Sequence, residues 1–237
     1  MLGQFLEIAV ASRPLAAAFE FYRALGFRSI PVGDVLADSY AAFFDGTVAI
    51  GLHERDGVSP VLTFVRPRLR DYVRSIHRLG VDIEHSHLAE DEFNWVGFSD
   101  PCGQAVALLE ARTFPPGEWD PKNVSACGDF LEFSVAAESP DAAKALWTGL
   151  GLKEIASGDA PHPWVRLAGH GIVLGLHRSA FRSGPTFRSA HVEARLEYLR
   201  AKGLNVRAGS PFGSNDRSIT VTGPDGMPIY LLESVAS

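Results

Sequence analysis

The chain has 237 residues, of which 46% are hydrophobic and 21% charged, with a net charge of −6. These values are typical of a globular protein with one large or two small domains, and the acidic balance disfavours a nucleic-acid partner. The opening residues lack a signal-peptide pattern, no apolar run approaches the ~20 residues of a membrane span, and two cysteines, Cys102 and Cys127, make no disulfide framework. We therefore expect a cytoplasmic protein with no membrane partner.

The first half of the sequence predicts one arrangement of strands and helix twice over. A strand-like run, FLEIAV, precedes a helical pattern, RPLAAAFEFYRALGF, with Pro14 near its start and Gly26 at its end. Three short strand-like runs follow: RSIPVG, SYAAFFDG and TVAIGLHE. The order then recurs, as a strand in PVLTFVR, a helix in LRDYVRSIHRLG, and strands in VDIEHS, FNWVGFSD and QAVALLEA. The half is thus two successive βαβββ units.

The second half repeats the first. FLEFSVAAESPDAAKALWTGLGL matches FLEIAVASRPLAAAFEFYRALGF, so that Glu7 corresponds to Glu132, and His53 corresponds to His177 further along. Both halves close on a Pro/Gly turn and a Leu-Leu-Glu strand, in DPCGQAVALLE and GPDGMPIYLLE. We predict two homologous domains, 1–112 and 128–237, joined by a proline-containing linker, 113–127.

The motifs FEFYRALGF, GLH, DPCGQAVALLE and GPDGMPIYLLE resemble the vicinal oxygen chelate superfamily. This superfamily includes glyoxalases, bleomycin-resistance proteins and extradiol dioxygenases. The resemblance implies an α+β fold in which four βαβββ modules pair into two cup-shaped mixed β-sheets with helices on the outside. It implies no single activity, because one scaffold hosts several functions.

The resemblance also implies metal ligands on the first and last strand of each module. Those positions hold Glu7, Gly51, Val61 and Ala107 in the first half, and Glu132, Gly175, Gly184 and Tyr230 in the second. Most lack a donor atom, so we expect no complete metal site and no cofactor. His53 and His177 lie two residues beyond the glycines, on the same face of their strands. A partial divalent-metal site of Glu7 with His53, or Glu132 with His177, stays open.

Three metal-free interpretations of each Glu–His pair also stay open. The carboxylate holds an imidazolium, or the pair acts as acid and base on a ligand, or it is a polar pair lining a wet cavity. Candidate ligand contacts are in phase with the implied positions or lie near the turns: Glu7, His53, Thr63, Trp95, Glu132, His177, Thr186 and Tyr230. His85 and His87 are interpreted as a surface turn, and Cys102 as an exposed turn residue.

These observations favour a bleomycin-resistance-like protein that binds a small, partly apolar molecule in a β-sheet cup without the full metal site. The alternative is a metal-dependent lyase, isomerase or dioxygenase of the glyoxalase type that uses Glu7 and His53, or Glu132 and His177. A third hypothesis is a structural domain whose cups are filled by side chains. No catalytic residue is assigned, and a homodimer is left open.

Overall fold

The computed structural model describes residues 2–31, 39–90, 92–111, 125–212 and 217–234. The elements of the first half are β1 (Gln4–Ala11), α1 (Leu15–Ala24), β2 (Arg28–Ile30), β3 (Tyr40–Phe44), β4 (Ala49–His53), β5 (Val61–Arg66), α2 (Leu69–Arg78), β6 (His85–His87), β7 (Trp95–Ser99) and β8 (Ala105–Glu110). Those of the second half are β9 (Asp129–Ala136), α3 (Pro140–Gly149), β10 (Lys153–Gly158), β11 (Trp164–Gly169), β12 (Ile172–His177), β13 (Gly184–Ser189), α4 (Val192–Ala201), β14 (Val206–Ala208), β15 (Ser218–Thr222) and β16 (Pro228–Glu233).

The strands form two eight-stranded mixed sheets, one from each half. Their orders are β2-β3-β4-β1-β5-β8-β7-β6 and β10-β11-β12-β9-β13-β16-β15-β14. The two βαβββ units of a half join where their first strands pair antiparallel, β1 with β5 and β9 with β13. The predicted α+β fold of four modules is confirmed, and modules pair within a half. No helix in the described ranges is long and apolar enough to cross a membrane.

Alternation along the strands gives each sheet two faces, one of which packs into the core. On β1, Ile8 and Val10 are fully buried in the core that also includes Tyr22 of α1. Their neighbours Glu7 and Ala9 face the opposite side. The helices therefore cover one face of each sheet, and we call the other face the first cup in the first half and the second cup in the second half.

The two Pro/Gly turns connect the halves to each other. Trp147 of α3 donates its indole N–H to the Asp100 carboxylate at 2.9 Å. Tyr22 of α1 donates its hydroxyl to the Asp225 carboxylate at 3.1 Å. Tyr22 and Trp147 are equivalent residues of the repeat and both are fully buried. Each half thus holds the closing turn of the other, which gives the repeated turn a structural role.

Three local predictions need correction or fall outside the structure. The strand predicted in VDIEHS is shorter and later, at His85–His87, so both histidines lie on an exposed edge strand and not in a turn, while Val81 ahead of them packs into the core. Cys102 is half-buried, and burial together with the nearby Asp100 and Glu138 raises the pKa of its thiol to about 11. It is therefore protonated at neutral pH. Of the predicted linker, residues 113–124 lie outside the described ranges.

Candidate functional site

The first cup is organised around the carboxylate of Glu7, which is only 4% exposed. His53 Nε2 lies 2.9 Å from Glu7 Oε1, and the Tyr40 hydroxyl donates to Oε2. Burial, followed by the charge of Glu7 and this hydrogen bond, raises the pKa of Tyr40. The phenol therefore stays protonated and acts as a donor to the carboxylate.

Gly51 makes this arrangement sterically possible. A Cβ atom at position 51 would lie 2.0 Å from Glu7 Oε2, far inside van der Waals contact. The carboxylate of Glu7 passes over Gly51 to reach His53, two residues further along β4. Gly51 stands where the resemblance implies a metal ligand. Because it has no side chain, it leaves room for the Glu7 carboxylate.

The ring of His53 is partly exposed and is held by Glu7. Its side chain is 19% exposed, and Nε2 is committed to Glu7. In the described part of the chain, no residue is hydrogen-bonded to its second ring nitrogen, Nδ1. The Glu7 contact fixes the orientation of the ring and leaves Nδ1 pointing away from the carboxylate.

Small side chains line the floor of the first cup. Thr63, Ala107 and Gly97 follow Glu7 in register across β5, β8 and β7. The adjacent row crosses five strands and consists of Ala42, Gly51, Ala9, Val61 and Ala105. At the far side, Trp95 stands opposite Leu109 and is 37% exposed. Trp95 therefore belongs to the cup edge and not to the core.

The second cup has the same Glu–His pair, and side chains of the same half donate hydrogen bonds to both oxygens of its glutamate. Glu132 is 1% exposed, and its Oε1 accepts from His177 Nε2 at 2.5 Å and from Ser134 Oγ at 2.8 Å. Its Oε2 accepts from Arg166 Nε at 2.5 Å. Burial alone would raise the pKa of Glu132, but the contacts with His177 and Arg166 outweigh it and hold the pKa at about 2. A Cβ at Gly175 would lie 2.0 Å from Oε1, as in the first cup.

Aromatic side chains close the second cup over this pair. His162 Nε2 lies 3.1 Å from His177 Nδ1, and the ring of Phe212 has its centroid 4.6 Å from that of His177. Phe181 packs on both Phe212 and Tyr230. The Tyr230 hydroxyl is committed to the backbone carbonyl of Arg182 at 2.8 Å, so it is not free for a ligand.

Strand register shows which side chains the two cups carry at equivalent positions. Each row of the first sheet has its counterpart in the second, and the second carries the larger side chain at four positions. The pairs are Ala42 and Arg166, Ala9 and Ser134, Ala107 and Tyr230, and Gly97 and Thr220. At two further positions the first sheet carries the larger side chain, with Val61 equivalent to Gly184 and Trp95 equivalent to Ser218. Thr63 and Thr186 are equivalent, and Thr186 Oγ1 contacts Ser134 Oγ at 2.7 Å.

The side chains do not fit the metal that the fold implies. Within the described ranges, no three His, Cys, Asp or Glu side chains are grouped to hold an ion. The first cup offers Glu7 and His53, with Tyr40 kept protonated, and this is fewer than the three protein ligands of an open metal site. In the second cup, Arg166 already places a positive charge against Glu132.

The structure brings the predicted Glu–His pairs together, and it adds residues that the sequence did not indicate. These are Tyr40, Ser134, His162, Arg166, Phe181 and Phe212. Tyr40 and Arg166 stand directly across a hairpin from His53 and Gly175, so counting residues through each hairpin would have placed them on the cup face. The other aromatic residues come from loops, where no periodic pattern assigns a face.

Acid unfolding provides a check on the second cup. The Glu132 pKa is depressed to about 2, from 4.5, so the contribution of this carboxylate is complete above pH ~4.5 and is lost as pH falls through 2. The shift corresponds to up to about 3 kcal/mol of unfolding free energy. We expect the difference in urea unfolding free energy between the wild type and Glu132→Gln to be largest near pH 6 and to shrink below pH ~4. A pH-independent difference would contradict this assignment.

No family model and no curated protein matches the chain, but solved structures do. Homoprotocatechuate 2,3-dioxygenase from Arthrobacter globiformis superposes with a TM-score of 0.65 at 13% identity, covering 98% of this chain and 80% of that one. The Mn(II)-bound glyoxalase from Novosphingobium aromaticivorans gives 0.60 at 13%, covering 99% and 83%. The 2,3-dioxygenase LapB from Pseudomonas sp. KL28 gives 0.59 at 14%, covering 99% and 92%.

The chain therefore has the vicinal oxygen chelate fold in its tandem, two-cup form. At these identities the likeness extends to the fold and not to the activity, because this scaffold hosts several functions.

Proposed function

We propose that the protein binds a small, partly apolar molecule in the first cup without a metal ion, as a bleomycin-resistance-like binder. The difference between the cups carries the proposal. Where the second cup has Arg166 and Tyr230, the first has Ala42 and Ala107. One half carries large side chains of its own at these positions, and in the other half the proposed ligand takes their place.

The chemistry of the first cup fits such a ligand. The wall is apolar and half-buried at Val61, Ala105, Ala107 and Leu109. A single polar cluster, made by Glu7, His53 and Tyr40, provides orientation. Mainly apolar walls with a few convergent polar groups are the usual composition of small-molecule sites. The donor sets of the two cups weigh against the alternative, a metal-dependent lyase, isomerase or dioxygenase of the glyoxalase type.

A fragment screen followed by histidine side-chain NMR tests the proposal. Binding in the first cup is expected to shift the ring resonances of His53 and to leave those of His177 unchanged. His53→Ala is expected to weaken binding, and His77→Ala, which alters an exposed histidine on α2, serves as the matched control. A fragment set in which nothing perturbs His53 would refute the proposal.

Metal analysis of the purified protein distinguishes the metal-free binder from the metal-dependent alternative. The proposal expects Mn, Fe, Ni and Zn well below one per chain. Near-stoichiometric metal that disappears in the double variant Glu7→Ala, His53→Ala would establish metal binding in the first cup and overturn the metal-free assignment.

A large side chain placed in the first cup, as in the second, is expected to weaken fragment binding. Ala107→Tyr introduces the side chain that Tyr230 supplies at the equivalent position. We expect fragments that bind the wild type to lose about tenfold or more in affinity, because the ring occupies the floor beside Thr63. The variant is expected to keep a cooperative thermal transition, since Ala107 is only partly buried and the equivalent position of the second half accepts a tyrosine. Unchanged affinity in a folded variant would place the ligand elsewhere.

A further inference from the structure

We infer that the ligand of the first cup is an organic cation, an ammonium, amidinium or guanidinium group attached to a flat apolar body. The inference rests on the proposed function and specifies its ligand. It comes from comparing how the two halves neutralise equivalent buried glutamates.

The second cup shows what the glutamate position requires. Glu132 is fully buried among side chains, and Arg166 sets a guanidinium against it, with Nε 2.5 Å from Oε2. The Arg166 side chain is itself only 15% exposed, and its guanidinium lies 5.0 Å from the Trp164 ring centroid. A carboxylate removed from water needs a compensating charge together with hydrogen bonds, and this half supplies both internally.

The first cup has an equivalent carboxylate but lacks this cation. The Glu7 side chain is 5% exposed, and Ala42 stands at the position of Arg166. Ala9 likewise replaces Ser134, which donates to Glu132. Among the residues that the structure describes, Glu7 has contacts with Tyr40 and His53 and with no Arg or Lys.

Glu7 therefore retains the capacity to bind a cationic donor. A carboxylate offers about four lone-pair sites, and Glu7 uses one on each oxygen. Tyr40 is a neutral donor, and His53 contributes positive charge only when it takes up a proton. A ligand cation beside Glu7 would take the role that the Arg166 guanidinium has beside Glu132, since Ala42 is equivalent to Arg166. The resulting contact would be charge-assisted and desolvated, which is the stronger class of hydrogen bond.

The floor of the cup indicates a flat body for the same ligand. From Glu7 toward the far edge, the side chains at Thr63, Ala107 and Gly97 are small. The last of these lies on β7, three strands from β1, which corresponds to about 14 Å at ~4.8 Å per strand. Trp95 on β7 is 37% exposed and offers an aromatic surface at that distance. The second cup fills the same path with Tyr230 and Thr220.

Matched probes of identical shape and different charge test the inference. Benzamidinium, benzamide and benzoate are titrated into the protein at neutral pH, and the His53 ring resonances are followed. We expect benzamidinium to bind about tenfold or more tightly than benzamide, and benzoate to bind most weakly, because only the first offers a charged donor to Glu7. A biphenyl amidinium is expected to bind more tightly still, with the gain lost in Trp95→Ala.

Two variants assign the preference to the glutamate. Glu7→Gln keeps the shape of the side chain and is expected to abolish the preference for benzamidinium over benzamide. Ala42→Arg transfers the internal cation of the second half and is expected to remove benzamidinium binding while circular dichroism stays unchanged. The wild-type ranking of the three probes decides the question even if either variant folds poorly.

The outcomes separate this inference from the proposed function. If benzamide or benzoate binds in the first cup as tightly as benzamidinium, the cation assignment is overturned and the binding function stands. If none of the probes and no neutral fragment perturbs His53, both are overturned. A preference for benzamidinium that persists in folded Glu7→Gln also rejects the inference, because a group other than Glu7 then recognises the charge of the ligand.

Discussion

Arg166→Ala is expected to lower the free energy of unfolding by about 3–5 kcal/mol, the typical cost of removing one partner from a buried ion pair. The loss follows because Glu132, 1% exposed, would remain buried next to His177 without its guanidinium. Urea unfolding followed by circular dichroism measures the effect at neutral pH. The matched control is Arg178→Ala, which removes an exposed arginine from the same half.

A double-mutant cycle distinguishes loss of the pair from loss of packing. Arg166→Met keeps most of the side-chain volume, and Glu132→Gln removes the charge that needs compensation. We expect the double variant to be more stable than Arg166→Met alone, because the orphaned carboxylate is gone. If the two single effects add within about 0.5 kcal/mol, the pair is not coupled, and charge compensation does not account for the arginine in the second cup.

The equivalent buried glutamates of the two halves have different surroundings. In the second half, Glu132 is neutralised by Arg166 and covered by Phe181 and Phe212, so it acts as part of the core. In the first half, Glu7 has neither a guanidinium nor a cover of this kind among the described residues. This difference fits the proposal that the first half binds a ligand and that the second cup is structural.

The sequence predicted the fold well because its signals are periodic and repeated. The match of Glu7 with Glu132 and of His53 with His177 placed each pair on one face of adjoining strands, and the structure has them 2.9 and 2.5 Å apart. The alternation of side chains along strands determines such placements without any knowledge of packing.

The difference between the cups could not be predicted in the same way. Counting through the hairpin between β11 and β12 places Arg166 on the cup face but does not show that it reaches Glu132. The loop residues His162 and Phe212 follow no period at all. Gly51 was interpreted as a missing ligand, whereas the structure shows that it provides the space for the Glu7 carboxylate. A steric requirement of this kind is invisible until two side chains are placed together.

Trp147→Phe is expected to destabilise the protein by about 2–4 kcal/mol through the contact between the halves. Trp147 is fully buried, and its indole N–H donates to the Asp100 carboxylate at 2.9 Å. Phenylalanine removes the donor, which costs about 1.5–3 kcal/mol for a charged acceptor, and it leaves part of the indole volume empty. Tyr22→Phe removes the equivalent donor to Asp225 with almost no change of volume, so its cost isolates the hydrogen bond.

The pH dependence of Trp147→Phe identifies Asp100 as the origin of the loss. Burial raises the pKa of Asp100, while the hydrogen bond from Trp147 lowers it, so removing the indole raises that pKa further. A carboxyl whose folded pKa lies above its unfolded value stabilises the fold increasingly as pH falls through that value. The penalty of Trp147→Phe should therefore be greatest at pH 7 and decrease toward pH 4, as measured by urea unfolding. A penalty that is constant over this range would assign the loss to packing alone. The contact between Trp147 and the Asp100 turn would then stabilise the two halves by packing and not by a hydrogen bond to a charged carboxylate.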